Sequence, residues 1–315
     1  MGKKLNIGGQ AVMEGLMIRS PRYNVIGVRK KKKIILKKEK IKQRKGKFYK
    51  LFIIRGFFNL VDMLALGMRS LMWSADQQLE EEDEKISKKE MTFSVIFAIL
   101  FGVGLFILLP YVATNLIGFY EESQPLLFNF IDGIIKIGIL LLYILGISLL
   151  KDVKRLFQYH GAEHKAVHCY EKGEKLTIEN ARKYSTLHAR CGTAFIMIVV
   201  VIALLVFSII TPIILMLFPQ LLNMHAVPRR IILILIRLSL LPLIAGIAYE
   251  FLKFSAKHEK NRIIKILIWP GLFLQKITTK EPTIKQIEVA IEVVKKVLQL
   301  EKRENSKNEF SGVHR

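Results

Sequence analysis

Two stretches of this chain leave few choices of fold. Met91 to Tyr120 and Gly192 to Gln220 carry no ionised side chain. Each exceeds the roughly 20 residues that a helix needs to cross a bilayer's hydrocarbon core. In that medium the backbone must satisfy its own hydrogen bonds, which favours helices. Two further apolar runs, Leu126 to Leu150 and Ile231 to Tyr249, are interrupted by Asp132 with Lys136 and by Arg237. Apolar residues make up 51% of the 315 and are bunched into these runs, unlike the even spread of a soluble core. The expected fold is mainly α, a polytopic helical membrane protein with about four transmembrane helices. The first thirty residues are basic and glycine-containing and lack the continuous apolar core of a signal peptide.

Basic residues set the expected orientation. Residues 1–92 hold 22 Lys and Arg, residues 151–193 hold nine, and the tail from Glu250 holds 14. The Asn115 to Pro125 connection has none and Phe218 to Arg230 has two. The positive-inside rule then places both termini and the 151–193 segment in the cytoplasm, for a multi-pass protein of the plasma membrane. On this view the net charge of +23 is a topology signal, and nucleic acid is not an expected partner. The expected divisions are a basic cytoplasmic region (1–92), a first helix pair (93–150), a cytoplasmic His/Cys loop (151–193), a second helix pair (194–249) and cytoplasmic C-terminal helices (250–315). Together, the N-terminus, central loop and C-terminus form a cytoplasmic domain. In a reducing compartment, Cys169 and Cys191 are expected as thiols or ligands rather than a disulfide.

Chemistry concentrates between Tyr159 and Thr193, which holds four of the seven histidines and both cysteines. If this part is helical, His160 and His164 lie one turn apart on one face, where two imidazoles can converge on an ion. His188 and Cys191 offer a second pair. His160-Gly-Ala-Glu163-His164 also fits H-x-x-E-H, in which the histidines hold zinc and the glutamate works on water. Glu250, at the cytoplasmic exit of the fourth run, is a candidate third ligand or the partner of a nearby lysine.

Elsewhere, Gly8 to Gly15 suggests a turn and a short strand. It lacks the spacing of a phosphate loop. Tyr23 to Lys30 and Lys33 to Lys40 suggest basic strands that meet membrane lipids, anionic headgroups among them, or simply water. Lys50 to Ala75 has amphipathic spacing (Leu51, Ile54, Phe58, Val61, Leu64) broken by Arg55, Asp62 and Arg69, the pattern of a helix lying in the interface. Glu80 to Glu84 marks an exposed linker. Asp132 and Arg237 are expected to form a structural ion pair, and Pro110, Pro212 and Pro242 to kink their helices. Trp269-Pro270-Gly271 suggests a break. Thr283 with Gln286 forms a capping box before an apolar stripe of Ile284, Ile287, Ile291, Val294 and Leu298, and residues from Glu301 onward suggest a frayed tail.

These blocks in order carry a resemblance: Gly8 to Gly15 with Arg19-Ser20-Pro21, Tyr159 to Lys165, His188 with Arg190-Cys191-Gly192-Thr193, Tyr249-Glu250, and Pro270-Gly271-Leu272 with Gln275 and Thr278 to Pro282. They resemble the YqhQ-like bacterial membrane proteins over nearly the whole chain. The resemblance implies an inner-membrane protein of a largely uncharacterised family described as a predicted metal-dependent enzyme. The family pattern often has proline after the position of His188, where this chain has Ala189. His168 and Cys169 lie outside the part of the motif that carries over.

Three functional readings follow. In the first, His160, His164 and one of His188, Cys191 or Glu250 hold Zn²⁺ or another divalent metal with one position open, and Glu163 or Glu171 is the base of a hydrolase. In the second, His160, His164, His188 and Cys191 close a structural site in a membrane scaffold or biogenesis factor. In the third, the histidines only hydrogen-bond. The chain shows no nucleotide-binding loop, serine nucleophile elbow or haem motif.

Overall fold

The computed structural model describes residues 5–312 apart from 43, 45, 80–87, 189–190 and 259–260. The acidic run Glu80 to Glu84, Ala189 and Arg190 therefore lie outside the described residues.

The N-terminal region forms an antiparallel meander of β1 (Gly8–Val12), β2 (Gly15–Arg19), β3 (Tyr23–Lys30) and β4 (Lys33–Lys40), in that order. Both basic stretches are strands. The glycine-bracketed stretch forms the expected short strand and turn, β1 and Met13-Glu14, and Val12 stands opposite Gly15 where β2 begins. Because side chains alternate along a strand, Leu16, Ile18 and Val25 enter one core while Met17, Ile26 and Val28 enter another. Helix α1 (Ile54–Gln78) covers the second face through Leu71 and Trp73. Helices α5 (Lys151–Lys172) and α10 (Ile284–Gly312) cover the first. Burying each such aliphatic side chain stabilises by about 1.5–3 kcal/mol, so the sheet is fixed from both faces.

Helix α1 buries Gly56, Leu66, Gly67, Ser70 and Ser74, and leaves Val61, Leu64, Met68 and Met72 exposed. Its apolar stripe therefore faces outward. The capping box of α10 is present, with Thr283 N donating to Gln286 Oε1 at 2.8 Å and Gln286 N to Thr283 Oγ1 at 3.4 Å. Ile287, Ile291 and Val294 are buried, whereas Ile284 is exposed. The expected frayed tail is not observed at Glu301. The helix continues to Gly312, and fully buried Glu301 accepts from Ser20 Oγ at 2.7 Å and from Arg22 N at 2.9 Å.

Among the described residues, four helical segments are long and apolar enough to cross a membrane: Thr92–Leu116, Pro125–Ile147, Gly192–Leu217 and Val227–Ser255. The first comprises α2 (Lys88–Val103) and α3 (Leu109–Leu116), joined by a wide turn at Gly104–Leu108 just before Pro110. A short helix, α6 (Ile178–Arg182), follows α5. Helix α7 (Gly192–Leu217) packs against α4 (Pro125–Ile147), α8 (Ala226–Lys257) and α9 (Arg262–Thr278). Trp269-Pro270-Gly271 does not break the chain but lies inside α9. A Cβ on Gly271 would come within 2.9 Å of Ala194, so this glycine lets α9 approach α7.

The expected Asp132–Arg237 pair is not formed. Asp132 pairs with Lys136, one turn along its own helix. Arg237 donates to Glu121 Oε1 at 2.9 Å, Asn129 Oδ1 at 2.7 Å and Thr211 Oγ1 at 3.1 Å. Each cation thus has its own carboxylate, and Arg237 Nε and Asp132 Oδ1 stay buried without a hydrogen-bond partner.

Candidate metal centre

Helix α5 has the 3.6-residue period that aligns positions three and four apart, so His160, Glu163, His164, His168 and Glu171 share one face. Residues Tyr159 to Val167 are buried. The ends of α7 and α9 and the Thr186–His188 segment close over this face.

Backbone carbonyls orient the imidazoles. His160 Nδ1 lies 2.8 Å from Thr278 O, and His164 Nδ1 bonds to Thr186 O. A carbonyl only accepts, so both Nδ1 atoms carry the proton and both Nε2 atoms keep a lone pair. His160 Nε2 meets Cys191 Sγ at 3.1 Å. His164 Nε2 is buried with no hydrogen-bond partner. Glu163 Oε2 is 3.4 Å away, within ion-pairing range but outside hydrogen-bond geometry. Such unsatisfied buried nitrogens are uncommon.

Ligand atoms of His160, His164 and Cys191 all lie within 4.8 Å of one another, as do those of His168, Glu171 and His188. The two sets adjoin, with the His164 and His188 rings 5.6 Å apart and those of His168 and His188 4.5 Å apart. His188 Nε2 lies 3.2 Å from Glu171 Oε2. Gln275 clamps the His188 main chain: His188 N donates to Gln275 Oε1 at 2.8 Å, and Gln275 Nε2 donates to His188 O at 2.9 Å.

Glu163 is buried, and the Gly9 backbone amide lies close enough to favour its charged form. A Cβ on Gly9 would lie 2.2 Å from Met17 O and 3.1 Å from the Glu163 Cγ, so only glycine lets β1 pass this close. The Thr278 to Glu281 segment is held in the same way. A Cβ on Gly161 would lie 2.2 Å from Lys280 O, and Lys165 Nζ reaches Glu281 at 2.9 Å.

Burial lowers the pKa of His160 and, more strongly, His164. It raises that of Glu163 and pushes the Cys191 thiol up to about 11. All four shifts have one cause, the cost of charge in a dry site. The imidazoles are therefore neutral, the form in which they ligate. A divalent ion would reverse the sign of the local field and favour the anionic carboxylate and thiolate. The donor set thus fits a metal.

The sequence-derived ligands do not form one set. His160, His164 and Cys191 come together, while His188 joins Glu171 and His168, a residue that motif reasoning had set aside. The i, i+4 repeat of His160, His164 and His168 could have identified it. Glu250 belongs to neither set. Its carboxylate takes both Arg55 Nε and Nη2 at 2.5 Å, which holds α1 against α8. Gln275, Thr278 and Gly9 were legible only as motif residues.

The family model described as "Protein of unknown function (DUF1385)" matches residues 51–300. The chain is 32% identical over 312 residues to a relative from Bacillus subtilis (strain 168), "Uncharacterized protein YqhQ", covering 93% of this chain and 92% of the relative. No solved structure matches it. Four of the five sequence blocks meet around the two adjoining His/Cys/Glu sets, the Tyr249-Glu250 block lying apart, and the matches span nearly the whole chain: it belongs to the YqhQ-like, DUF1385 family.

Proposed function

We propose that this chain is a multi-pass protein of the bacterial plasma membrane with both termini cytoplasmic, and that it is a metal-dependent hydrolase acting at the cytoplasmic interface. The observation that carries the metal reading is the buried, unpartnered His164 Nε2 beside His160 and Cys191. Two nitrogens and a sulfur suit Zn²⁺. When bound, the ion supplies Lewis acidity and a water of lowered pKa. In this reading His160, His164 and Cys191 would hold the ion, and Glu163 would be the general base toward water and return the proton to the leaving group. Hydrolysis then adds hydroxyl to an acyl carbon or phosphorus and a proton to the departing oxygen or nitrogen.

The substrate is membrane-borne in this reading. Cys191 is the N-cap residue of α7, so the cluster sits at the end of an apolar segment long enough to span. Helices α1 and α9 turn apolar side chains outward, including Leu64, Met68, Ile266 and Trp269, as interfacial helices do. Lys31, Lys32, Lys33 and Lys38 are exposed on the β3–β4 hairpin, where each adds about 1 kcal/mol of attraction if close to anionic headgroups.

A second reading is favoured by the nearness of Glu163, which can serve as a fourth ligand and close a structural site in a non-enzymatic scaffold. Elemental analysis of the detergent-purified protein tests both. Near-stoichiometric zinc, lost in His160→Ala with the fold retained, is expected. No metal in the wild type, even after reconstitution, overturns both readings. With Co²⁺ in place, a visible spectrum that shifts on adding azide marks an open, catalytic position. One that does not shift marks the closed site.

A further inference from the structure

We infer that the chain holds a second divalent ion, on His168, Glu171 and His188, beside the ion proposed on His160, His164 and Cys191. The inference rests on the metal reading above and extends it to a two-metal centre.

The second set has its own ligand geometry. Its three ligand atoms lie within 4.8 Å of one another. His168 Nε2 donates to Leu187 O at 2.9 Å, which leaves Nδ1 as the nitrogen with the lone pair. Gln275 fixes the His188 backbone from both sides. These carbonyl and amide contacts are the outer shell that orients metal-bound imidazoles. Two histidines and a glutamate are also the donor set of open catalytic zinc sites.

The second set also shares an environment with the first. Glu163 Oε2 lies 3.4 Å from His164 Nε2, and the His164 ring is itself 5.6 Å from that of His188 in the second set. His164, whose Nε2 lacks a partner, packs against His160 on one side and His188 on the other. Four imidazoles and two carboxylates thus adjoin, with His160, Glu163, His164 and His188 buried. Without cations the neutral rings and the buried acid must be accommodated at a desolvation cost; two ions turn the same groups into ligands.

Exposure assigns the two ions different places. Side chains of Glu163 and His164 are 5% and 2% exposed, against 26% for Glu171. Glu171 therefore puts the second site nearer the solvent than the first.

The test is metal content of the full-length, Co²⁺-loaded protein in detergent, read with its thiolate-to-cobalt absorption band, which reports Cys191 at the first site. Two ions per chain are expected in the wild type. One is expected in His168→Ala and in Glu171→Gln, with the band kept. Glu171→Gln is the milder change and decides the matter if His168→Ala fails to fold. One ion in the wild type, untouched by either substitution, overturns the second site and leaves the first standing. A single ion lost in His160→Ala and in Glu171→Gln alike means one shared site, and also overturns the inference. No ion at all overturns the underlying metal reading.

Discussion

Glu301→Ala should open the junction between α10 and the sheet. The Glu301 carboxylate is fully buried and takes Ser20 Oγ at 2.7 Å, Arg22 N at 2.9 Å and Arg22 Nε at 2.7 Å. Truncation takes the carboxylate from the buried Ser20 hydroxyl, which keeps Tyr23 O at 3.1 Å, and from the 24% exposed Arg22 side chain, which keeps Asn305 Oδ1 and the Glu301 carbonyl. Breaking a buried pair costs about 3–5 kcal/mol. Because water and these other acceptors remain, about 3 kcal/mol is the better figure, near two charged hydrogen bonds. At 1.4 kcal/mol per decade, that is about a 100-fold loss of amide hydrogen-exchange protection in the last turns of α10 and the Ser20–Tyr23 turn. Glu301→Gln should lose less. The wild type should show a related acid sensitivity: burial pushes the Glu301 pKa up, but hydrogen bonds from Ser20 and Arg22 together hold it below the usual value. A carboxylate with a depressed folded pKa contributes fully above its unfolded value, about 4.3, and the contribution is lost as pH falls through the folded value. Unchanged protection in Glu301→Ala would refute the reasoning and restore a frayed tail.

Gln275→Ala removes both clamps on the His188 backbone and should weaken metal retention by about 10–100-fold, as outer-shell losses do; competition with a chelator would measure it, and wild-type retention would count against the clamp. Gly9→Ala places a methyl group against Met17 O, so it should lower the melting temperature, whereas Gly8→Ala, whose Cβ meets nothing within 4 Å, should not. Arg237→Met leaves Glu121 buried with its cation gone and should destabilise the helix bundle by about 3 kcal/mol. Adding Glu121→Gln should recover part of that loss in a thermal-unfolding double-mutant cycle, and strict additivity would argue against the pair.

Much of the fold was legible because hydrophobic patterning is local. The four apolar runs, the paired basic strands and the Thr283 capping box each announce themselves within a few residues. Features that depend on a distant partner were not legible in this way. Glu301 looks like the start of a polar tail until Ser20 and Arg22 stand opposite it. Pro270 and Gly271 look like a break until Ala194 shows why a small residue is needed inside a continuous helix. Arg237 looks like the partner of Asp132 in sequence, and only the fold shows that Asp132 is already taken by Lys136 while the Glu121 carboxylate lies within reach.

The site divides along the same line, with a sharper physical reason. Ligands are side chains, so a helical period on α5 exposes them to a reader of the sequence. What aims them is main chain: Thr278 O for His160, Thr186 O for His164 and Leu187 O for His168, with the Gly9 amide close to Glu163. A carbonyl has no residue identity, so no motif of residue types can encode it directly. What the sequence carries is the means of bringing that backbone close. Gly9 and Gly161 lack a Cβ where β1 and the Lys280 carbonyl approach, and Gln275 grips a backbone rather than a side chain. Those residues sit in blocks far from the histidines, and they belong to the site because the meander, α5 and α9 bring their backbones together there.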